Sequence, residues 1–312
     1  VDGVMLRVWI FRMLFGLSIC PAAMASTIRH DVAAQDYLAE ASLYPAVGSV
    51  AGSGLGGSGV LISDRWVLTA GHVARSKTGG TFSVAGMSYT VQSSTLHPSY
   101  VFGANPYDLG LLYLSTPVTG VVPASMFRFD SPAAILGLEG TWVGRGLGGT
   151  GLTGAQAPLG WRAFTNIIDV FGPAYGLTDT AFIADFDHPD GSTNAAFSSP
   201  EATRLEGNVA SGDSGGGVFV EVDGVRYLVG INSFTGGFAP GMNSRYGSIS
   251  GATYLSYFDQ WILDQTDIAT VPEPGYAGLF LLSLALFCLR RGRSNALDIR
   301  HHSRRSVITH SK

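Results

Sequence analysis

Cysteine is nearly absent from this chain of 312 residues. There are two, Cys20 and Cys288, each inside an apolar stretch near one end. The body between them has none, so no disulfide can staple it, and its core alone must hold it; at about 245 residues that is feasible. Charge is scarce as well: Asp, Glu, Lys and Arg make up 13% of the chain, about half the usual share. That scarcity argues against intrinsic disorder, a coiled coil or a nucleic-acid binder. Glycine, in contrast, is plentiful at 42 residues. Many turns and a weakly charged surface favour an all-β fold.

The net charge of −4 averages unlike parts: +1 over residues 1–25, +6 over 290–312, and hence −11 over 26–289. The N-terminal part reads as a secretory leader. Arg7 and Arg12 form a basic region, Met13 to Cys20 an apolar one, and Ala23-Met24-Ala25 a small-x-small cleavage site, so the mature chain is expected to begin at Ser26. At the other end Val271-Pro272-Glu273-Pro274 precedes an apolar segment, 275–289, and then Arg290-Arg291-Gly292-Arg293. This segment falls short of the ~20 residues of a full span, while the Arg cluster supplies a positive stop. Pro-Glu-Pro, a short apolar helix and an Arg cluster together resemble the PEP-CTERM sorting signal of Gram-negative bacteria. The resemblance implies transient inner-membrane insertion through 275–289 and removal of the tail by an exosortase. Delivery would be to the cell surface, the extracellular matrix or the medium. Residues 294–312 run on past the usual end of such signals. They are expected to be a disordered basic tail rather than a metal tract, despite His301, His302 and His310.

From Val47 onward short apolar runs alternate with Gly- and Ser-containing turns, as in an antiparallel barrel or sandwich. The first series is Gly59–Ile62, Trp66–Ala70, Thr81–Val84, Ser88–Gln92 and Leu109–Leu114. The second is Thr141–Val143, Arg162–Val170, Ala181–Phe186, Gly217–Val222, Val225–Asn232 and Gly251–Leu255. An irregular stretch, Thr116–Ala134, reads as a crossing between two units. Tyr254–Thr266 carries helical spacing at Leu255, Phe258, Trp261 and Ile262. The expected division is 26–44 as an N-terminal segment, 45–125 and 126–266 as two β units, the latter with the terminal helix, and 267–274 as a linker.

Three segments carry chemistry. One places His72 after Thr69-Ala70-Gly71; one places Asp108 ahead of the apolar run Leu109-Gly110-Leu111-Leu112; one places Ser214 in Gly212-Asp213-Ser214-Gly215-Gly216. Amide hydrolysis needs a nucleophile, a base to take its proton, and a group that orients the base. Ser214, His72 and Asp108 are of the right types. Glycines around Ser214 allow the amides of Gly212 and Ser214 to converge on one developing oxyanion. These motifs, in the order His, Asp, Ser, resemble the trypsin-like (chymotrypsin-fold) serine endopeptidases over roughly residues 45–266. The resemblance implies two antiparallel six-stranded β-barrels with a C-terminal helix, and an exported endopeptidase working through a His72-Asp108-Ser214 triad and an acyl-enzyme. Its substrates would be proteins or peptides, and neither a cofactor nor a metal is implied. The rival is a catalytically silent member serving as a matrix or adhesion module.

The same resemblance puts Asn208 on the floor of the substrate pocket, with Ser233-Phe234-Thr235 and the region of Ser250-Gly251 as walls. An Asn floor has no charge and Thr235 narrows the entrance, so a small or polar uncharged residue is expected before the cleaved bond. Ser233 resembles a serine that supports the triad Asp. In the family a freed Ile/Val-Val-Gly-Gly terminus pairs with the Asp before the nucleophile, here Asp213; no such motif lies between Ser26 and Val50. Either another partner serves Asp213, or a different cut, such as one after Arg29, makes the terminus. Other motifs carry less. Gly212-x-Ser214-x-Gly216 also fits the elbow of α/β-hydrolases, but those place their His after the Ser. Gly144-x-Gly146-x-x-Gly149 fits a dinucleotide fingerprint on paper, yet no helix can follow it, and a flexible surface loop is expected. Asp185-Phe-Asp187-His-Pro-Asp190-Gly191 is not an EF-hand and reads as a solvated turn, with an atypical ion site as the alternative.

Overall fold

A computed structural model describes residues 26–273, apart from 104–106, 194, 196–199 and 238–242. The expected leader, apolar tail segment and basic tail lie outside the described residues. Among those described, no helix is long and apolar enough to cross a membrane.

The chain opens with β1 (Thr27–Ile28) and α1 (Ala34–Ala41). Six strands follow: β2 (Val47–Ala51), β3 (Gly57–Leu61), β4 (Trp66–Thr69), β5 (Thr81–Val84), β6 (Met87–Leu96) and β7 (Gly110–Leu114), with the short α2 (Gly71–Ala74) after β4. They close into an antiparallel barrel in the order β2-β3-β4-β7-β6-β5. Its interior is filled by alternate residues such as Val60, Leu68, Phe82, Val91 and Leu111, as period-2 patterning requires. The crossing then runs through β8 (Phe127–Arg128) into the second unit.

That unit comprises β9 (Glu139–Thr150), β10 (Gly154–Ile167), β11 (Val170–Phe171), β12 (Ala181–Asp185), β13 (Gly207–Asn208), β14 (Gly217–Val222), β15 (Val225–Gly237) and β16 (Ser248–Tyr254). Six long strands pair in the order β12-β16-β15-β14-β9-β10. The sheet curls until the end of β10 meets β12, where Asp169 N–H donates to Ile183 O at 2.9 Å. Trp142, Phe164, Phe182, Val218 and Val229 fill it. The architecture is all-β, two six-stranded barrels with a C-terminal helix, α3 (Asp259–Thr266). Phe258 and Ile262 join the core of the first barrel and tie the two units together.

Two expectations are corrected. Gly144 to Gly149 is not a surface loop: it is part of β9, paired on one side with β10 and, near Val143, with β14. The expected linker 267–274 is fastened down as far as Glu273. Within it β17 (Val271–Pro272) lies parallel to β8, and Glu273 N–H donates to Arg128 O at 3.0 Å.

Candidate active site

The site forms where the barrels meet. β4 ends at Thr69, the chain turns into α2, and His72 comes out half-exposed on its first turn. Asp108 stands just ahead of β7, the strand paired with β4, so the two residues are neighbours by register. Asp108 is 3% exposed and accepts at three points. Its Oδ1 takes His72 N–H at 2.9 Å, and its Oδ2 takes His72 Nδ1–H at 2.8 Å and the Ser233 hydroxyl at 2.5 Å. The last bond crosses from the second barrel, and Thr253 adds another by donating to Asp108 O at 3.0 Å. Approaching Asp108, Tyr107 sits at φ +59° and stacks on His97, which also meets Phe258 and Trp261 edge-on. The terminal helix thereby braces the turn that delivers the acid. Burial lowers the pKa of His97, which favours the neutral imidazole in this aromatic cluster.

Ser214 is half-exposed in the turn between β13 and β14. Gly212 and Gly215 hold φ of +101° and +86°, the left-handed region that glycine enters without strain. The turn is bolted to the first barrel: Ser58 N–H donates to Ser214 O at 2.7 Å and Ser58 Oγ–H to Gly212 O at 3.1 Å. A Cβ on Gly57 would lie 2.6 Å from Ser214 O and 2.7 Å from Val73 Cγ2, so the serine turn and the His72–Val73 step close on the same glycine. Gly215 N–H donates to Asn232 O and Gly216 N–H to Asp213 O. The N–H groups of Gly212 and Ser214 meet no acceptor among the described residues. A cavity of about 380 Å³ lies elsewhere, between Glu40, Tyr44, Glu139 and Arg204. It holds none of these groups.

The site's geometry agrees with a comparison of sequences. A profile of the trypsin-like peptidase domain matches residues 57–231, more than half of the chain. The chain belongs to that family. Among curated proteins no sequence match is found. Among solved structures this trypsin-like peptidase is similar to neuropsin, a serine protease expressed in the limbic system of mouse brain, with a TM-score of 0.55 and 21% identity over 72% of this chain and 95% of that one. That likeness supports the fold.

The expected pocket residues lie together, joined by hydrogen bonds among Asn208, Thr235 and Ser250. Asn208 lies where β13 pairs with β1 and is fully buried. Its amide donates to Thr235 Oγ1 at 2.8 Å and Val209 O at 3.0 Å, and its Oδ1 accepts from Ser250 Oγ at 2.7 Å. Every polar atom of the expected floor is thus engaged, and Thr235 is the residue that reaches over it, donating in turn to Ile249 O at 3.1 Å. Phe234 is half-buried and lies on Gly251, where a Cβ would be 2.1 Å from its ring. Only glycine fits beneath that ring.

Asp213 has a partner that sequence reading did not find. It is fully buried, and its Oδ2 accepts from the Ser26 hydroxyl at 2.9 Å and from Ala210 N–H at 2.9 Å. Gly144 and Gly146 make room for it: a Cβ on either would come within 2.7 Å of its carboxyl group. Arg162, also buried, donates from Nη1 to Ser26 O at 2.7 Å, and burial brings its pKa down to about 10. In this structure residues 26–28 are the segment that reaches Asp213, held by the β1–β13 pairing. Among the described residues no cluster of three or more His, Cys, Asp or Glu is placed to hold a metal. Against the expectation, the Asp185–Gly191 turn is not solvated throughout: Asp185 and Asp187 are buried, while Asp190 caps Ser192 and pairs with His188.

Proposed function

We propose that this trypsin-like peptidase is an exported serine endopeptidase. Ser214 Oγ attacks the scissile carbonyl, and His72 Nε2 takes its proton and returns it to the leaving amine. Asp108 fixes the tautomer with the proton on Nδ1 and stabilises the imidazolium as it forms. The N–H groups of Gly212 and Ser214 receive the oxyanion, a contribution of about 3–4 kcal/mol for each donor. Water then hydrolyses the acyl-enzyme by the same route in reverse.

The observation that carries the reading is the buried Asp108, which binds His72 twice and Ser233 once while a left-handed glycine turn presents Ser214 from the other barrel. A binding module has no need of that arrangement. Thr235 clamped across Asn208 supports a small, uncharged residue before the cleaved bond. The leader, residues 1–25, and the PEP-CTERM-like tail are read as export and sorting signals, with an exosortase acting on the tail and delivery to the surface or medium.

Fluorophosphonate labelling of the purified exported protein tests the reading. Label is expected on Ser214 and is expected to vanish in Ser214→Ala. An unlabelled protein with Ser26 as its first residue would favour the silent matrix module.

A further inference from the structure

Four consecutive carbonyls of the serine turn, from Ser211 to Ser214, each have a donor. The second barrel holds two of them. Leu147 N–H donates to Ser211 O at 2.8 Å, and Asp213 O accepts from Gly216 N–H at 2.9 Å and Asn232 Nδ2 at 3.3 Å. The first barrel holds the others through one residue. Ser58 binds Gly212 O with its hydroxyl at 3.1 Å and Ser214 O with its N–H at 2.7 Å. A carbonyl and the N–H that follows it lie in one plane. The Gly212 and Ser214 amides, which receive the oxyanion in the proposed mechanism, therefore share planes with Ser211 O and Asp213 O. Between those planes lies a third, the Gly212–Asp213 peptide, and its orientation decides whether the two N–H groups converge. Gly212, at φ +101°, brings little steric restraint of its own. The N–H edge of this middle plane is tied inside the turn, to Ala210 O at 3.0 Å. Its carbonyl edge is tied from outside, by the Ser58 hydroxyl.

Ser58 is a fixed point for this purpose. It is fully buried in β3. Its O accepts from the Thr69 hydroxyl at 2.7 Å, and its Oγ accepts from Arg145 N–H at 2.8 Å. With Arg145 on one lone pair, the hydroxyl proton is left for Gly212 O. Thr69 ends β4 just ahead of the Ala70-Gly71-His72 step, and Arg145 stands in β9 between Gly144 and Gly146, the two glycines that make room for Asp213. Gly215 leaves no slack on the other side: a Cβ there would run into Ser58 O and Thr69 Oγ1. A buried polar network whose members are paired is rigid. One serine thus ties together the strand that delivers the base, the turn that carries the nucleophile, and the strand behind that turn.

We propose that Ser58 is a positioning residue for the oxyanion site: its hydroxyl sets the plane between the two donor peptides, so the first barrel aims a site built from the backbone of the second. The inference rests on the proposed function and deepens it. Ser58 is buried and acts through Gly212, not on the substrate. Replacing it by alanine removes the hydroxyl yet keeps the backbone N–H on Ser214 O, so the nucleophile stays tied while the middle plane is released. The loss then falls on the transition state. Removing a whole oxyanion donor costs about 100- to 1,000-fold in kcat, and misaiming one costs a part of that.

The test uses the full chain as exported. Ser58→Ala is expected to lower kcat on a peptide substrate about tenfold or more, with KM within about twofold. A peptidyl trifluoromethyl ketone gives the more specific readout. Ser214 Oγ adds to its carbonyl carbon, the serine proton passes to His72, and the carbonyl oxygen takes the electron pair. Fluorine NMR then follows protonation of that oxyanion as the pH is lowered. In Ser58→Ala the protonation is expected about one pH unit or more higher than in the unaltered protein, which is a tenfold weaker hold on the oxyanion. Val91→Ala, a cavity in the core of the same barrel, is the control for loosening alone and is expected to shift neither kcat nor the titration. Ser58→Cys keeps the shape and a weak donor; it is expected to show a smaller shift in the same direction, and it serves if the alanine variant does not fold. An unmoved titration in the Ser58 variants, or an equal shift in Val91→Ala, overturns the inference. Fluorophosphonate label on Ser214 of the unaltered protein separates the two levels. Label there with an unmoved titration removes the inference alone, whereas no label there removes the proposed function with it.

Discussion

Asp108 accepts from three donors, and one of them, the Ser233 hydroxyl, comes from the other barrel at 2.5 Å. A hydrogen bond to a charged group contributes about 1.5–3 kcal/mol. Ser233→Ala is therefore expected to lower kcat roughly tenfold while leaving KM within twofold, because the hydroxyl is turned to the acid and the backbone that lines the pocket is unchanged. Steady-state kinetics at saturating substrate checks this; an unchanged kcat would mean that His72 and Thr253 hold Asp108 without the Ser233 hydroxyl. Thr235 is the second informative residue. Thr235→Gly removes the side chain that receives the Asn208 amide and covers it. Cleavage profiles from a peptide library are expected to shift from small residues toward larger uncharged ones before the scissile bond. A variant still confined to Ala and Ser would place the restriction elsewhere. His72, Asp108 and Ser214 were legible in the sequence because each sits in a motif whose neighbours are dictated by backbone geometry. The Ser26–Asp213 contact was not, since the two residues lie 187 positions apart and a serine carries no periodic or compositional signal.

β9 shows how far patterning reaches at the level of an element. Thr81–Val84 and Gly217–Val222 were readable to the residue, being alternating or continuous apolar runs bounded by turns. In β9 the run Gly144 to Gly149 reads as a loop, since glycine weakens a strand and signals turns. Its glycines serve close approach instead: the backbone of β9 passes so near Asp213 that a Cβ on Gly144 would lie 2.7 Å from Oδ1. Gly144→Ala is expected to push Asp213 out of place and reduce kcat/KM by about tenfold or more, with the barrel still folded by circular dichroism. Gly140→Ala on the same strand is the control. Its Cβ would meet the Val218 and Ile168 side chains at 3.2 and 3.4 Å, contacts that small shifts relieve. Equal losses in both variants would mean that β9 tolerates no side chain anywhere, rather than that Asp213 needs the room. α1 escaped sequence reading for a related reason. Only Tyr37 is buried on it, so it has no apolar stripe; the ring is anchored instead by its hydroxyl, which donates to Glu206 O at 3.0 Å.

At the scale of the molecule, residues 26–289 carry −11, and part of that charge is buried. Asp185 and Glu206 are each 1% exposed and Asp187 is 4% exposed, grouped where β12 ends and the approach to β13 begins. Glu206 Oε1 accepts from Asp187 N–H at 3.4 Å, while Asp187 Oδ1 has no donor. Burial, and after it the charge of Asp185, push Asp187 up to about 7; burial raises Glu206 well above the usual carboxylate range. His188, one residue on, faces Asp190 and Tyr246 and offers this carboxylate no cation. With a folded pKa near 7 and an unfolded one near 3.9, Asp187 holds a proton in the native state that the unfolded chain has released. Its contribution is complete below about pH 4 and disappears as the pH rises through about 7, a change on the order of 4 kcal/mol for a shift of this size. The peptidase is thus expected to be more stable at pH 5 than at pH 8, the opposite of a protein held by salt-bridged carboxylates. Asp187→Asn keeps the size of the side chain and removes the charge. Urea unfolding at both pH values is expected to show the substitution raising stability at pH 8, with little effect at pH 5, and so flattening the dependence. A variant as steep as the parent would assign the slope to Glu206 alone, and the double substitution with Glu206→Gln then decides whether this buried group sets it at all.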